Sequence, residues 1–243
     1  MNYVLIIGAK SDLAIELAKK YAEHGYDLYL AARNSSDLKC FAKDLHIRTS
    51  RVIKILDFDI LDYTSHEIFY DNLEIKPIGV IIVSGYLGVQ NTAEINFKET
   101  LKIIDTNFTG AVSFLNIVVN DFEIRKKGFI IGVSSVAGDR GRKSNYYYGS
   151  SKAAFSSYLS GIRNRLNLSN VTVLTVKPGF IKTKMTRELE FPNILSSSAS
   201  NVAEKIFNAQ QDKKNVIYVK WFWRYLMLVI KIIPERIFKK TSL

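Results

Sequence analysis

The sequence holds a single cysteine, Cys40, in 243 residues, so no intrachain disulfide can form and a reducing compartment suits it. Its three histidines, His24, His46 and His66, are scattered with no cysteine pair near them, which excludes a zinc-ligand spacing. All three read as surface or helix-end residues. Only four prolines occur and none marks a linker, while repeats and low-complexity segments are missing altogether. No apolar run reaches the ~20 residues that a membrane-spanning helix needs. The opening MNYVLIIGAK lacks a basic leading region and its apolar run is short, so it reads as a first strand and not as a signal peptide. These absences predict a cytoplasmic, globular, metal-free protein.

What remains is ample for a core. Hydrophobic residues make up 47% and charged residues 23%, a globular and not a disordered balance, and the length suits one α/β domain. Lysine and arginine exceed aspartate and glutamate by 34 − 23, or +11, which favours anionic partners such as nucleotides, phosphorylated substrates, nucleic acid or an anionic membrane face. No nucleic-acid recognition module accompanies the charge, so a nucleic-acid role is set aside.

Short β-rich runs alternate with amphipathic stretches. Strands are predicted at 3–7, 27–31, 51–56, 78–83, 128–133, 171–176 and 215–219. Strands separated by helices predict a doubly wound, seven-stranded parallel sheet flanked by helices over residues 1–219. Residues 182–200 are polar, follow a Pro-Gly, and read as a flap. Residues 220–243 form an aromatic and basic C-terminal amphipathic helical tail.

The first strand runs into Gly8-Ala9-Lys10-Ser11-Asp12-Leu13-Ala14 and then a helix. Small residues at a strand–turn–helix junction let backbone N–H groups and the positive helix end approach a pyrophosphate. Asp12 is unfavourable beside phosphates unless it caps the helix or points away, and Lys10 partly offsets it. The second strand ends Leu30-Ala31-Ala32-Arg33-Asn34 with no acid to bond a ribose 2′-OH, so Arg33 is placed to hold the 2′-phosphate of NADP(H), with NAD(H) the second option. Asp59, after the third strand, is placed to bond an adenine edge.

Tyr148 and Lys152 stand four residues apart and share a helix face. A phenol is a poor proton donor or acceptor at neutral pH, and a nearby ammonium is expected to lower its pKa and make it a general acid/base. Tyr146 and Tyr147 lack this partner. Ser135 follows a strand at the carboxyl end of the sheet, where its hydroxyl can bond a substrate carbonyl.

The 13-residue gap from Ser135 to Tyr148, the Gly8 turn and Pro178-Gly179-Phe180-Ile181-Lys182-Thr183 together resemble the short-chain dehydrogenase/reductase superfamily over essentially the whole chain. That resemblance implies a Rossmann-type fold and a homo-oligomer. Ser135 would polarise a carbonyl, Tyr148 would transfer a proton, and Lys152 would tune Tyr148 and bond the nicotinamide ribose. Asn107 would support a relay water, while Gly85, Pro178, Gly179, Ile181 and Thr183 would line the nicotinamide side. Asp12 and Ala14 depart from the usual glycines, and Val83-Ser84-Gly85 from the usual Asn-Ala-Gly.

SSVAGDRGRKSN, KPGFIKTKM and the tail are similar to a bacterial branch, the decaprenyl-phosphoryl-ribose epimerase reductases. That likeness implies an anionic, lipid-linked keto-sugar, a flavin oxidase partner, and the inner membrane face as a working surface. Arg140, Arg142, Lys143, Lys182, Lys184 and Arg187 could then meet a phosphodiester. The alternatives are a reductase of another small-molecule carbonyl, with the tail packed on the pocket or a subunit, and a dinucleotide-binding protein without turnover.

Overall fold

The computed structural model describes residues 2–186 and 193–241. The chain runs β1 (Tyr3–Ile7), α1 (Asp12–Glu23), β2 (Asp27–Ala32), α2 (Lys39–Thr49), β3 (Ile53–Asp57), α3 (His66–Asp71), β4 (Gly79–Ile82), α4 (Gln90–Ile95), α5 (Phe97–Ile104) and α6 (Gly110–Arg125). It continues through β5 (Gly128–Val133), α7 (Tyr146–Arg165), β6 (Val171–Pro178), β7 (Phe180–Lys182), β8 (Ser196–Ser198), α8 (Ala199–Gln211), β9 (Val216–Val219), α9 (Phe222–Ile232) and α10 (Glu235–Phe238).

Seven of the strands form one parallel sheet in the order β3-β2-β1-β4-β5-β6-β9. The chain starts in the middle, winds outward to β3, then returns past β1 to β4 and winds out the other way. The β1/β4 boundary is therefore the topological switch, and a crevice opens beyond the carboxyl ends of those two strands. Alternate strand residues feed two cores: Val4 and Ile6 face one layer with α1 and α8, while Tyr3, Leu5 and Ile7 face the other with α6 and α7.

The strands match the predicted ones with small shifts at their ends. β3 starts at Ile53 because the Val52 N–H is taken by the Asp27 carboxylate at 2.9 Å. β6 runs on to Pro178, which carries the strand to the edge of the crevice. The segment read as a flap begins and ends in a two-stranded parallel sheet, β7 with β8, that the Ser196-Ser197-Ser198 run gave no apolar alternation to foretell. Residues 187–192 of that segment, Arg187 included, lie outside the described residues.

His66 stands at a helix end, as expected, but not at the surface. It begins α3, yet it is buried, stacked against Phe58 with its Nδ1 3.0 Å from the Ser113 hydroxyl. Burial lowers its pKa, so it sits in the core as a neutral ring.

Candidate active site

At the end of β1 the backbone turns at Gly8 with φ +86°, and a Cβ there would lie 2.6 Å from the Ser84 backbone nitrogen. Only glycine allows both the conformation and the approach of the two central strand ends. Helix α1 then starts with Ser11 as its cap, accepting the Ala14 N–H at 3.2 Å. Asp12 resolves its own conflict by pointing away: its carboxylate accepts the backbone N–H of Lys184 at 2.7 Å, tying the segment after β7 to the start of α1. Lys10 makes an ion pair with Asp37, so its charge is shared and not wholly offered to a phosphate.

The crevice holds two adjoining cavities. The larger, about 1080 Å³, runs from Gly8 and Arg33 to Asp59 and Ile60. The smaller, about 280 Å³, is lined by Leu13, Ser135, Tyr148, Lys152 and the Pro178–Thr183 segment, including Gly179 and Ile181. Lys10, Ser11 and Gly85 line both, so the two form one groove. Arg33 is exposed on the rim of the larger cavity. Asp59 folds one carboxylate oxygen onto the Leu61 N–H at 3.0 Å, which shapes the loop forming that end.

The larger cavity also contains residues the sequence did not flag. Asp57 at the end of β3 pairs in register with Ala32 and accepts the Ser35 N–H at 2.8 Å. This bond holds its carboxyl below the usual range and fixes the turn through Asn34, whose φ is +50°. Thus an acid does reach the cavity, from β3 and not from β2, and one of its oxygens is committed to the backbone. Strand order placed it there, and no spacing in the sequence reports strand order.

Ser135, Tyr148 and Lys152 meet in the smaller cavity. Ser135 is nearly buried after β5, and its hydroxyl accepts the Ala137 N–H at 3.1 Å and lies near enough to the Tyr148 phenol to lower its pKa. Lys152, one turn further along α7, is buried with its ammonium donating to the Val133 carbonyl at 3.0 Å, 5.8 Å from the Tyr148 ring centre. Burial drives both away from their charged forms: Lys152 falls to about 8, and Tyr148 rises to about 12, the latter partly offset by Ser135. The expected lowering of the phenol by its lysine is therefore overturned, since desolvation dominates. Tyr148 therefore stays protonated across the neutral range.

Asn107 lies in a π-helical turn, Asp105–Thr109, between α5 and α6. Its amide donates to the Tyr86 carbonyl at 2.6 Å and the Ile103 carbonyl at 2.8 Å, while its oxygen accepts the Tyr86 N–H at 3.1 Å. Both amide protons are thus already donated to backbone, and the side chain has none left for a relay water. Instead Asn107 pins the segment after β4 so that Gly85 sits against it and Lys152, with an added Cβ 3.2 Å and 3.5 Å from their side-chain atoms.

The basic loop divides. Arg140 turns into the protein, donating to the Ile230, Lys231 and Ile233 carbonyls at 2.6–3.2 Å and to Glu235 at 2.9 Å, with its guanidinium 3.7 Å from the Phe238 ring centre. It caps the carbonyls that end α9 and is not offered to a ligand. Arg142 contacts the Met227 sulfur at 3.3 Å, its Nε is buried without a partner among the described residues, and burial lowers its pKa. Asp139, between them and Ser135, is held by Lys177 at 2.5 Å and Tyr218 at 2.8 Å. Lys143, Lys182 and Lys184 are exposed.

The model of the short chain dehydrogenase family matches residues 2–192. The chain belongs to the short-chain dehydrogenase family. Members of the family are oxidoreductases. An uncharacterized oxidoreductase of Mycobacterium tuberculosis is 30% identical over 240 residues, covering 98% of this chain and 96% of that protein. Another, from Myxococcus xanthus, is 31% identical over 196 residues, 79% of this chain and 78% of its own. Among solved structures, a short-chain dehydrogenase from Sphingobium yanoikuyae in complex with NADPH superposes with a TM-score of 0.83 at 20% identity, covering 97% of each chain. That likeness carries the fold alone. The groove of this family member is the one just described.

Proposed function

We propose that this short-chain dehydrogenase reduces a ketone with NADPH, and the observation that carries the reading is the protonated Tyr148 beside Ser135 and Lys152 in one small cavity. The groove fits a dinucleotide. Its two cavities join at Lys10, Ser11 and Gly85, and in the larger one Ser84 presents a buried hydroxyl with no partner among the described residues. Arg33 would hold the 2′-phosphate, Asp59 the adenine end, and the Pro178–Thr183 segment the nicotinamide. Bound NADPH supplies the hydride. Ser135 donates a hydrogen bond to the substrate oxygen, Tyr148 gives it a proton, and the Lys152 ammonium holds the developing phenolate.

The finer reading is a keto-sugar, a 2-ulose, on a polyprenyl phosphate, formed by a separate flavin oxidase and met at the inner membrane face. It is supported by the likeness of the SSVAGDRGRKSN and KPGFIKTKM segments to that branch, and by the exposed Lys143, Lys182 and Lys184, the last of which lines the smaller cavity. Turnover with NADPH and with NADH, run in parallel on a lipid-linked ulose, the free keto-sugar and simple ketones, tests both levels. Preference for NADPH that collapses in Arg33→Ala is expected. Activity confined to simple ketones would discard the keto-sugar, and no nicotinamide-dependent turnover on any of them would discard the reductase.

A further inference from the structure

Helix α9 has two apolar faces. Trp223, Met227 and Ile230 are buried and pack with Val136, next to Ser135, and with Phe238. Trp223 closes over Gly179, where an added Cβ would fall 2.2 Å from its indole. At ~100° per residue, Trp221, Tyr225, Leu228 and Ile232 stand ~170° around the helix from that buried face. They are 74%, 59%, 57% and 70% exposed. A helix docked on the protein by one apolar face has no folding reason to carry a second one pointing at water.

The charge around this outer face is of one sign. Lys220, Arg224, Lys231, Arg236, Lys239 and Lys240 lie in the tail against one acid, Glu235, and that acid is bonded to Arg140. Arg224 and Lys231 flank the apolar row, on the side where a long cationic side chain can reach outward past it. A second copy of the same face would bring cation to cation, whereas a surface of phosphate headgroups over hydrocarbon complements both features. No helix among the described residues is long and apolar enough to cross a membrane. We infer that the outer face of α9 is a docking surface for an anionic lipid bilayer, on which the protein lies without spanning it. A bilayer met by Trp221, Tyr225, Leu228 and Ile232 lies about one helix diameter, ~10 Å, from the Gly179 wall of the catalytic cavity. This inference goes beyond the reductase reading, because it does not depend on which ketone is reduced.

The test is flotation of the full chain with vesicles of phosphatidylglycerol and, separately, of phosphatidylcholine, alongside its mass by light scattering and its NADPH turnover on a soluble ketone. The protein is expected to float with phosphatidylglycerol, and salt is expected to weaken the association. The Leu228→Glu/Ile232→Glu double variant should lose at least ~10-fold of it, with soluble turnover unchanged. Arg224→Glu/Lys231→Glu should lose it as well, while Ile95→Glu, at a site 90% exposed on α4, should not. A wild-type chain that stays behind with every vesicle overturns the inference. So does an assembly that Leu228→Glu/Ile232→Glu converts to a smaller one without any lipid binding, since the face then belongs to a second copy.

Discussion

The two walls of the catalytic cavity are built differently. The wall bearing Ser135, Tyr148 and Lys152 rises directly from β5 and α7, and its key contacts run to neighbouring backbone: Lys152 to Val133, Ser135 to Ala137. The opposite wall, from Pro178 onward, is held by side chains from far along the chain. Asp12 reaches Lys184, Trp223 covers Gly179, and Arg140 grips the end of α9. The contrast teaches where each property resides: the proposed proton chemistry rests on regular secondary structure, and the shape of the proposed substrate space rests on a few long-range contacts that can be altered one at a time.

The comparison is broken most sharply at Tyr148. Tyr148→Phe removes the donor but leaves the ring in its site, and should lower kcat about 10³-fold in a steady-state assay with the fold unchanged by circular dichroism. Retained turnover would mean that another group gives the proton.

Lys152 is next. Its pKa in the folded protein, about 8, lies below its ordinary 10.5, so between those values the unfolded chain holds a proton that the folded chain lacks. Stability from this group therefore rises with pH through that window, and below it the buried charge costs about 3 kcal/mol. Lys152→Met should abolish turnover yet raise Tm at pH 7, by less than that cost because the Val133 carbonyl loses its donor. In the unaltered protein, reduction should fall as pH passes about 8, where the ammonium is lost.

On the other wall, Arg140→Ala strips the α9 terminus of its donor and the Phe238 ring of its stacked cation. A loss of about 2 kcal/mol is expected, a fall of roughly 5 °C in Tm by calorimetry, with kcat nearly kept. A kcat loss like that of Tyr148→Phe would erase the distinction between the walls. The smallest effect belongs to Asp12→Ala, which frees the Lys184 N–H and should raise the substrate KM by about 3–10-fold at constant kcat. Asp12→Asn, which keeps an acceptor, should recover most of it.

Much of the first wall was legible in the sequence. The Tyr148–Lys152 spacing is set by helix geometry, and Ser135 follows a strand whose apolar run is unmistakable. The groove residues Gly8 and Ser11 follow from strand–turn–helix grammar, Arg33 from the missing acid after the second strand, and Gly85 from the family resemblance. What was misread was the state of groups there. A lysine one turn from a phenol suggested a depressed phenol pKa, but spacing carries no information about desolvation, which dominates once both groups are buried. Asn107 was found by its motif, yet its engagement with Tyr86 depends on where the segment after β4 passes. Arg140 and Arg142 looked like ligand groups because their partners, the α9 terminus and Met227, are 85 or more residues away in sequence.

By itself the sequence determined the alternation of seven strands with helices, the parallel sheet, and the helix that lines up Tyr148 with Lys152, because these arise from periodicity within a few residues. Only the tertiary structure decided which acid reaches the groove, which arginines are already engaged, and which face of the tail remains uncovered. Those outcomes depend on strand order and on burial, and both are properties of the packed chain that no local spacing encodes.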